Sequence, residues 1–200
     1  MHKVLDSIKV IIMINKKDEM ARVFIALTPV KELNDKIIEI KKDLKTGLLK
    51  DHTISWQNNN SHHITLNFIG SMEPEQIDEM FINLEKISTL KSQIALEINS
   101  ISLFPNDNGQ VLVANINSTP QLKKIHNKIE DIIKTIGFES HLKKYHPHIT
   151  LGRFKDKERA SFEIPELEEP IKSLVSKIDV YESDFESGKT SYKLIKSFKY

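Results

Sequence analysis

The chain has 200 residues, with 29 Lys and Arg against 28 Asp and Glu and a formal net charge of +1. No strong global field therefore draws it onto long nucleic acid, and any nucleic-acid contact should be local. Hydrophobic residues make up 39% and charged residues 28% of the sequence, which suits a soluble globular fold with one sizeable core. Cysteine is absent, so disulfides, thiolate nucleophiles and Cys-bearing zinc sites are excluded together, and an intracellular, cytoplasmic protein is expected.

Residues 1–19 stand apart as an N-terminal extension, expected to be an arm. The apolar run from Ile8 to Ile14 is too short to span a bilayer, and no small-residue cleavage site precedes Lys16-Lys17-Asp18-Glu19. No membrane partner is expected. The fold begins at Met20, and residues 20–200 read as one domain. Val23 to Leu27 is an apolar strand ending at Thr28-Pro29, where Thr28 is the expected N-cap and Pro29 the first helical residue. Val30, Leu33, Ile37, Ile40 and Leu44 then step by three and four, the spacing of one buried helical stripe.

Next comes the strand His63-Ile64-Thr65-Leu66, preceded by an Asn58-Asn59-Asn60 loop and followed by Gly70. Glu73-Pro74 opens a second helix with Ile77, Phe81 and Leu84 on one face, and a strand is expected from Ile94 to Leu103 before the Pro105 to Gly109 turn. The second half repeats the order of the first. Val111 to Ile116 is a strand, Thr119-Pro120 a helix start, and Leu122, Ile125, Ile129, Ile132 and Ile136 a stripe closed by Gly137. A second copy of the same tetrapeptide follows, His148-Ile149-Thr150-Leu151. Beyond Arg153 the chain is charged through Glu169, then strand-like over Leu174–Tyr181 and Tyr192–Phe198, with a Ser187-Gly188 turn between. Strands and helices mix without strict alternation, so the class is α+β with antiparallel sheets. The pseudo-repeat halves are about 20–105 and 106–200.

On a strand, side chains two apart share a face, so each His lies beside its Thr while the aliphatic residues point away. Two such strands supply two imidazoles and two hydroxyls. Hydrolysis of a phosphodiester calls for a base on one side of phosphorus and an acid on the other, and two histidines near their ordinary pKa can divide those tasks. The threonine hydroxyls can donate to the non-bridging oxygens as charge gathers there. No metal or other cofactor is required. A single His-x-Thr is usually only a histidine at a sheet edge, but the same word at equivalent places in two similar halves favours function.

The chain resembles the two-histidine phosphoesterases, and within them the RNA 2′,3′-cyclic phosphodiesterases, also called 2′-5′ RNA ligases. The resemblance covers residues 20–200. It rests on both His-x-Thr-x motifs, Arg22-Val23-Phe24-Ile25-Ala26-Leu27, Phe68-Ile69-Gly70, Phe104-Pro105, Gly137-Phe138, and Pro147 through Arg153. It implies two pseudo-symmetric lobes, each an antiparallel sheet backed by helices, with the histidines meeting across a central cleft. It also implies His63 as proton donor and His148 as proton acceptor in opening a terminal 2′,3′-cyclic phosphate to a 2′-phosphate. The reverse reaction would join ends through a 2′-5′ linkage.

One departure is His62, where family members often carry an apolar residue; strand parity turns it away from His63. Four histidines, His62, His63, His146 and His148, also admit a rival metal site, ranked lower because no carboxylate lies within the motifs. Arg153 is a candidate phosphate clamp, although period two sets it opposite His148 unless a bend at Gly152 turns it. Lys143, Lys144 and Tyr145 could guide an RNA end, Tyr145 by stacking on a base. Trp56 and Phe104 read equally as base platforms or as packing. The expected partner is an RNA end bearing a cyclic phosphate, and the expected state a monomer. Two other functions compete: a non-catalytic module that binds RNA ends, and a phosphodiesterase acting on a cyclic nucleotide, an ADP-ribose cyclic phosphate or a 2′-5′ oligoadenylate.

Overall fold

A computed structural model describes residues 20–87, 93–106, 109–139, 145–155, 164, 167–186 and 189–199. The expected N-terminal arm, Lys143, Lys144 and the Ser187-Gly188 turn lie outside the described residues. In chain order the elements are β1 (Ala21–Leu27), α1 (Lys31–Thr46), β2 (Ile54–Trp56), β3 (Ile64–Met72), α2 (Pro74–Ile87), β4 (Ile94–Phe104), β5 (Val111–Ile116), α3 (Pro120–Thr135), β6 (His148–Phe154), β7 (Ile171–Val175), β8 (Lys177–Glu186) and β9 (Lys189–Lys199). The class is α+β, as expected from the sequence.

The strands form one antiparallel sheet in the order β7-β4-β5-β6-β3-β1-β8-β9, with β2 beside β6. β7 is first in that order and β8 next to last, yet only Ser176 separates them in sequence. Adjacent residues lie about 3.8 Å apart, so the sheet must curl until its flanks approach. The sequence suggested one strand over Leu174–Tyr181; here it divides, because Leu174 and Val175 pair with β4 while Asp179 to Tyr181 pair with β1. The sheet has two similar wings, β7-β4-β5-β6 and β3-β1-β8-β9, and each draws strands from both halves of the chain.

One face of the sheet carries the core. Val23, Ile25, Leu27, Ile64, Leu66, Leu112, Ala114, Ile149 and Leu151 are sealed from solvent and pack with the helix stripes: Leu33, Ile37 and Leu44 of α1, Ile77, Phe81 and Leu84 of α2, and Leu122, Ile125 and Ile129 of α3. Burial of aliphatic side chains at this density is what drives the curled sheet and its helices together. Helix α3 begins as its sequence indicates: Thr119 Oγ1 accepts from the Leu122 amide at 3.2 Å, and Pro120 follows. It ends with Gly137 at φ +89°, where the Phe138 amide reaches the Ile133 carbonyl at 3.0 Å.

Helix α1 starts differently. Its first residue is Lys31, Val30 occupies the cap position, and no side chain caps it. Thr28 is drawn instead into a tertiary network, donating from Oγ1 to Asp179 and accepting from the Tyr181 hydroxyl at 2.6 Å. A charge-assisted bond to a carboxylate only 4% exposed outweighs a local cap. Among the described residues, no helix is long and apolar enough to cross a membrane.

Candidate active site

The wings join where β3 meets β6, through the pairing of Ile64 with Ile149. Each isoleucine is fully buried on the core face, so the flanking residues of both strands face the other way. Continuing the antiparallel register from that pair sets His63 beside Thr150 and Thr65 beside His148. All four motif residues thus gather on one face about a local two-fold axis, each half-buried. His63 also lies close enough to His148 to feel its charge.

The imidazoles are held alike. His63 Nδ1 lies 2.8 Å from the Ser61 carbonyl, and His148 Nδ1 lies 2.8 Å from the His146 carbonyl. A carbonyl can only accept, so each Nδ1 carries the proton and each Nε2 is left with a lone pair when the ring is neutral. Burial lowers the pKa of both rings and outweighs the raising effect of the carbonyl bonds; the charge of His148 lowers His63 further, and that of His146 lowers His148. Without an anion the pair therefore favours neutrality. A bound phosphate would favour protonating one of them.

Aromatic rings fix the imidazoles in place. Phe24 of β1 lies 4.9 Å from the His63 ring and 5.2 Å from Tyr181, while Tyr192 of β9 meets His63 edge-on at 5.1 Å. Across the junction Phe104 stacks on His148 at 4.6 Å and approaches the exposed His146 at 5.5 Å. Trp56 packs against the hydrophobic core. Tyr145 is stacked on His126 at 3.9 Å with the two rings nearly parallel, and its hydroxyl is buried with no partner among the described residues; burial raises its pKa strongly. One face of that ring is therefore occupied, and it lies among the packing beneath α3.

Arg153 does share the face of the four motif residues. On β5, Val111, Val113 and Asn115 alternate onto one face and pair with Arg153, Thr150 and His148, so the four residues of β6 from Thr150 to Arg153 oppose only three of β5, Val111 to Val113. Such a bulge reverses strand parity. A Cβ at Gly152 would lie 2.7 Å from Ile54 Cγ2, so a larger residue there would push β2 away from β6. The Arg153 charge reaches the Tyr192 hydroxyl, which in turn is hydrogen-bonded to the Gln57 side chain. The charge of Arg153 thus acts on a tyrosine that meets the His63 ring.

A family model described as the 2′-5′ RNA ligase superfamily matches residues 50–185, a span that includes both motif strands. The chain belongs to that superfamily. The RNA 2′,3′-cyclic phosphodiesterase of Thermotoga maritima is 25% identical over 179 residues, covering 87% of this chain and 92% of that protein. The protein of the same name from Aeropyrum pernix is 28% identical over 96 residues, covering 46% of this chain and only 53% of its own length. Among solved structures, E. coli LigT in apo form superposes with a TM-score of 0.73 at 21% identity, covering 91% of this chain and 98% of that one. TT0787 of Thermus thermophilus gives 0.77 at 17% identity, covering 89% and 97%. These likenesses establish the shared curled α+β fold.

The rival metal reading loses a ligand in this member of the superfamily. Both nitrogens of His62 are engaged, Nδ1 with Asn34 Oδ1 at 2.7 Å and Nε2 with Lys41 Nζ at 3.1 Å. Among the described residues, no group of three or more His, Cys, Asp or Glu side chains is arranged to hold an ion. Other contributors to the site were not singled out from the sequence: Phe24, Tyr181, Tyr192, Gln57 and Asn115. Asn115 lies beside His148, donates to Ser100 and Ser102 at 3.0 and 2.9 Å, and keeps a buried Oδ1 without a partner among the described residues. Their signal was positional. Phe24 and Asn115 lie on strands that pair with a motif strand, Tyr181 and Tyr192 on the two strands beyond β1, and Gln57 in the loop before His63, placements that cannot be read until the strand order is known.

Proposed function

We propose that this protein hydrolyses the terminal 2′,3′-cyclic phosphate of RNA to a 2′-phosphate, with His63 as proton donor and His148 as proton acceptor. The observation that carries the reading is the matched state of the two imidazoles: both Nδ1 atoms are committed to backbone carbonyls, which leaves both Nε2 atoms for chemistry on one face. The names of the relatives support the same activity. His148 Nε2 takes a proton from water as its oxygen attacks phosphorus. The bond from phosphorus to O3′ breaks, and O3′ takes the proton from His63 Nε2–H. Proton count is conserved, and the histidines end with exchanged protonation. Attack by a 5′-hydroxyl in place of water would give the 2′-5′ linkage.

Thr65 and Thr150 flank the histidines and donate to the non-bridging oxygens, while Arg153 pairs with phosphate from the rim. Tyr145, already stacked on His126, is assigned no contact with RNA. Every step is completed by groups of this chain, so the proposal includes no metal or other cofactor. We place the protein in the cytoplasm as a monomer acting on RNA ends. The deciding experiment incubates a cyclic-phosphate oligonucleotide with enzyme and chelator and assigns product ends by phosphorus NMR. Replacing either His63 or His148 by Ala should cut kcat at least about 1,000-fold, from loss of acid or base catalysis, with the fold retained. A binding-only module would give no product, and metal dependence would abolish turnover in chelator.

A further inference from the structure

The loop entering His63 is held by buried polar groups that the proposed chemistry does not use. Lys41, on α1, and His62 are only 7% and 3% exposed. The Lys41 ammonium donates to the Gln57 carbonyl, to Asn59 Oδ1 at 2.8 Å and to His62 Nε2 at 3.1 Å, which employs all its protons. To accept from an ammonium, His62 must be neutral with its proton on Nδ1, and that proton is donated to Asn34 Oδ1 at 2.7 Å. Asn34 Nδ2 in turn donates to the Asn59 carbonyl at 3.1 Å. Two side chains of one helix therefore grip the loop at Gln57, Asn59 and His62.

The gripped loop runs from β2, which pairs with β6, into β3. The Gln57 amide donates to the Leu151 carbonyl of β6 at 2.9 Å, and Gln57 Nε2 donates to the Ser61 carbonyl at 3.3 Å. That same carbonyl accepts from His63 Nδ1. In the other wing the equivalent carbonyl belongs to His146 and is followed by Pro147, whose ring restricts the backbone and whose carbonyl is tied to the Ile116 amide at 3.0 Å. Ser61-His62-His63 has no proline at the matching place. A free loop there would let the Ser61 carbonyl turn away and the His63 tautomer scramble.

We propose that Lys41 and His62 are positioning residues: they hold the Gln57–Ser61 loop so that the Ser61 carbonyl keeps His63 protonated on Nδ1, with Nε2 toward the phosphate. They do for the first motif what Pro147 does for the second. The inference rests on the two-histidine reading, and the experiment separates the two. Lys41→Met in the full chain, assayed on a cyclic-phosphate oligonucleotide, should lower kcat about tenfold through lost alignment, with KM changed less than about twofold. Nitrogen-15 NMR should show His63 passing from the single Nδ1–H form to a tautomer mixture, while His148 is unchanged; a purely structural lysine would leave that signature alone.

Wild-type kcat together with an unaltered His63 tautomer in folded Lys41→Met would overturn the proposal. Should that variant not fold, Asn34→Ala decides, since it strips the partner of His62 at a half-buried site: a smaller shift in the same two readouts supports the bracket, and no shift in either overturns it. If His63→Ala is inactive and Lys41→Met is normal, only the bracket fails. If His63→Ala stays active, the two-histidine reading fails and the bracket with it.

Discussion

Acid should weaken this fold through His62, and the amount follows from its surroundings. Burial first, then the Lys41 charge, then His63 lower its pKa from 6.5 to about 4. An unfolded chain accepts that proton near pH 6.5, whereas the folded chain refuses it until about pH 4, so across this window the unfolded state binds more protons. Stability must fall as pH drops through the window and be unaffected by this group above it. At about 1.4 kcal/mol for each unit, the loss has an upper bound of about 3.5 kcal/mol, and residual solvent screening reduces it toward about 2.

His63 and His148 are shifted the same way, so the wild-type slope contains all three groups, and His62→Leu isolates one. The variant leaves Lys41 short of an acceptor, but Lys41, lowered to about 8, is charged throughout the window and contributes a constant offset. Urea midpoints measured from about pH 7 to about pH 4 should give curves that converge for the two proteins on the acid side. Parallel curves would refute the reasoning, because His62 would then titrate alike in both states.

For the reaction itself, a protonated His63 and a neutral His148 are needed together. Since both pKa values lie below 6.5 in the free protein, kcat/KM should peak on the acid side of 6.5 and decline as His63 deprotonates at higher pH; a flat profile from about pH 5 to about pH 8 would remove the acid–base pair. Thr65→Val or Thr150→Val, nearly isosteric and kept in strand geometry, should each reduce kcat about 100-fold with KM little changed, as steady-state kinetics on the cyclic-phosphate oligonucleotide would show. Arg153→Ala should raise KM about tenfold, the scale of a lost charge-assisted bond, while circular dichroism reports an intact fold. Loss of kcat alone would place Arg153 in the reacting array instead of at its rim.

Much of the site was legible because its two parts are short, local and repeated. The alternation within His63-Ile64-Thr65-Leu66 and His148-Ile149-Thr150-Leu151 sets which side chains share a face, whatever the strands pair with. The Thr119-Pro120 start of α3 was equally local, as was most of its stripe, although Ile133 is sealed in the core where the spacing named Ile132, which is half-buried. Arg153 was not legible, since its face is decided by a bulge that exists only when β6 is read against β5. Nor was Thr28, whose sequence context fits a helix cap but whose hydroxyl is taken by Asp179 from the far end of the chain. His62 was correctly turned away from His63 by parity, yet its bond to Lys41 lies beyond any spacing rule.

The amino-acid order by itself determined the catalytic vocabulary and its placement on strand faces, because strand periodicity is a property of the backbone. Tertiary structure alone decided which strands became neighbours: Ile64 against Ile149, β5 against the second motif strand with β4 beyond it, and β1 against the first with β8 and β9 beyond it. Those pairings arise from long-range burial of aliphatic faces in a sheet that has to curl. They bring together residues that no local interaction could hold side by side.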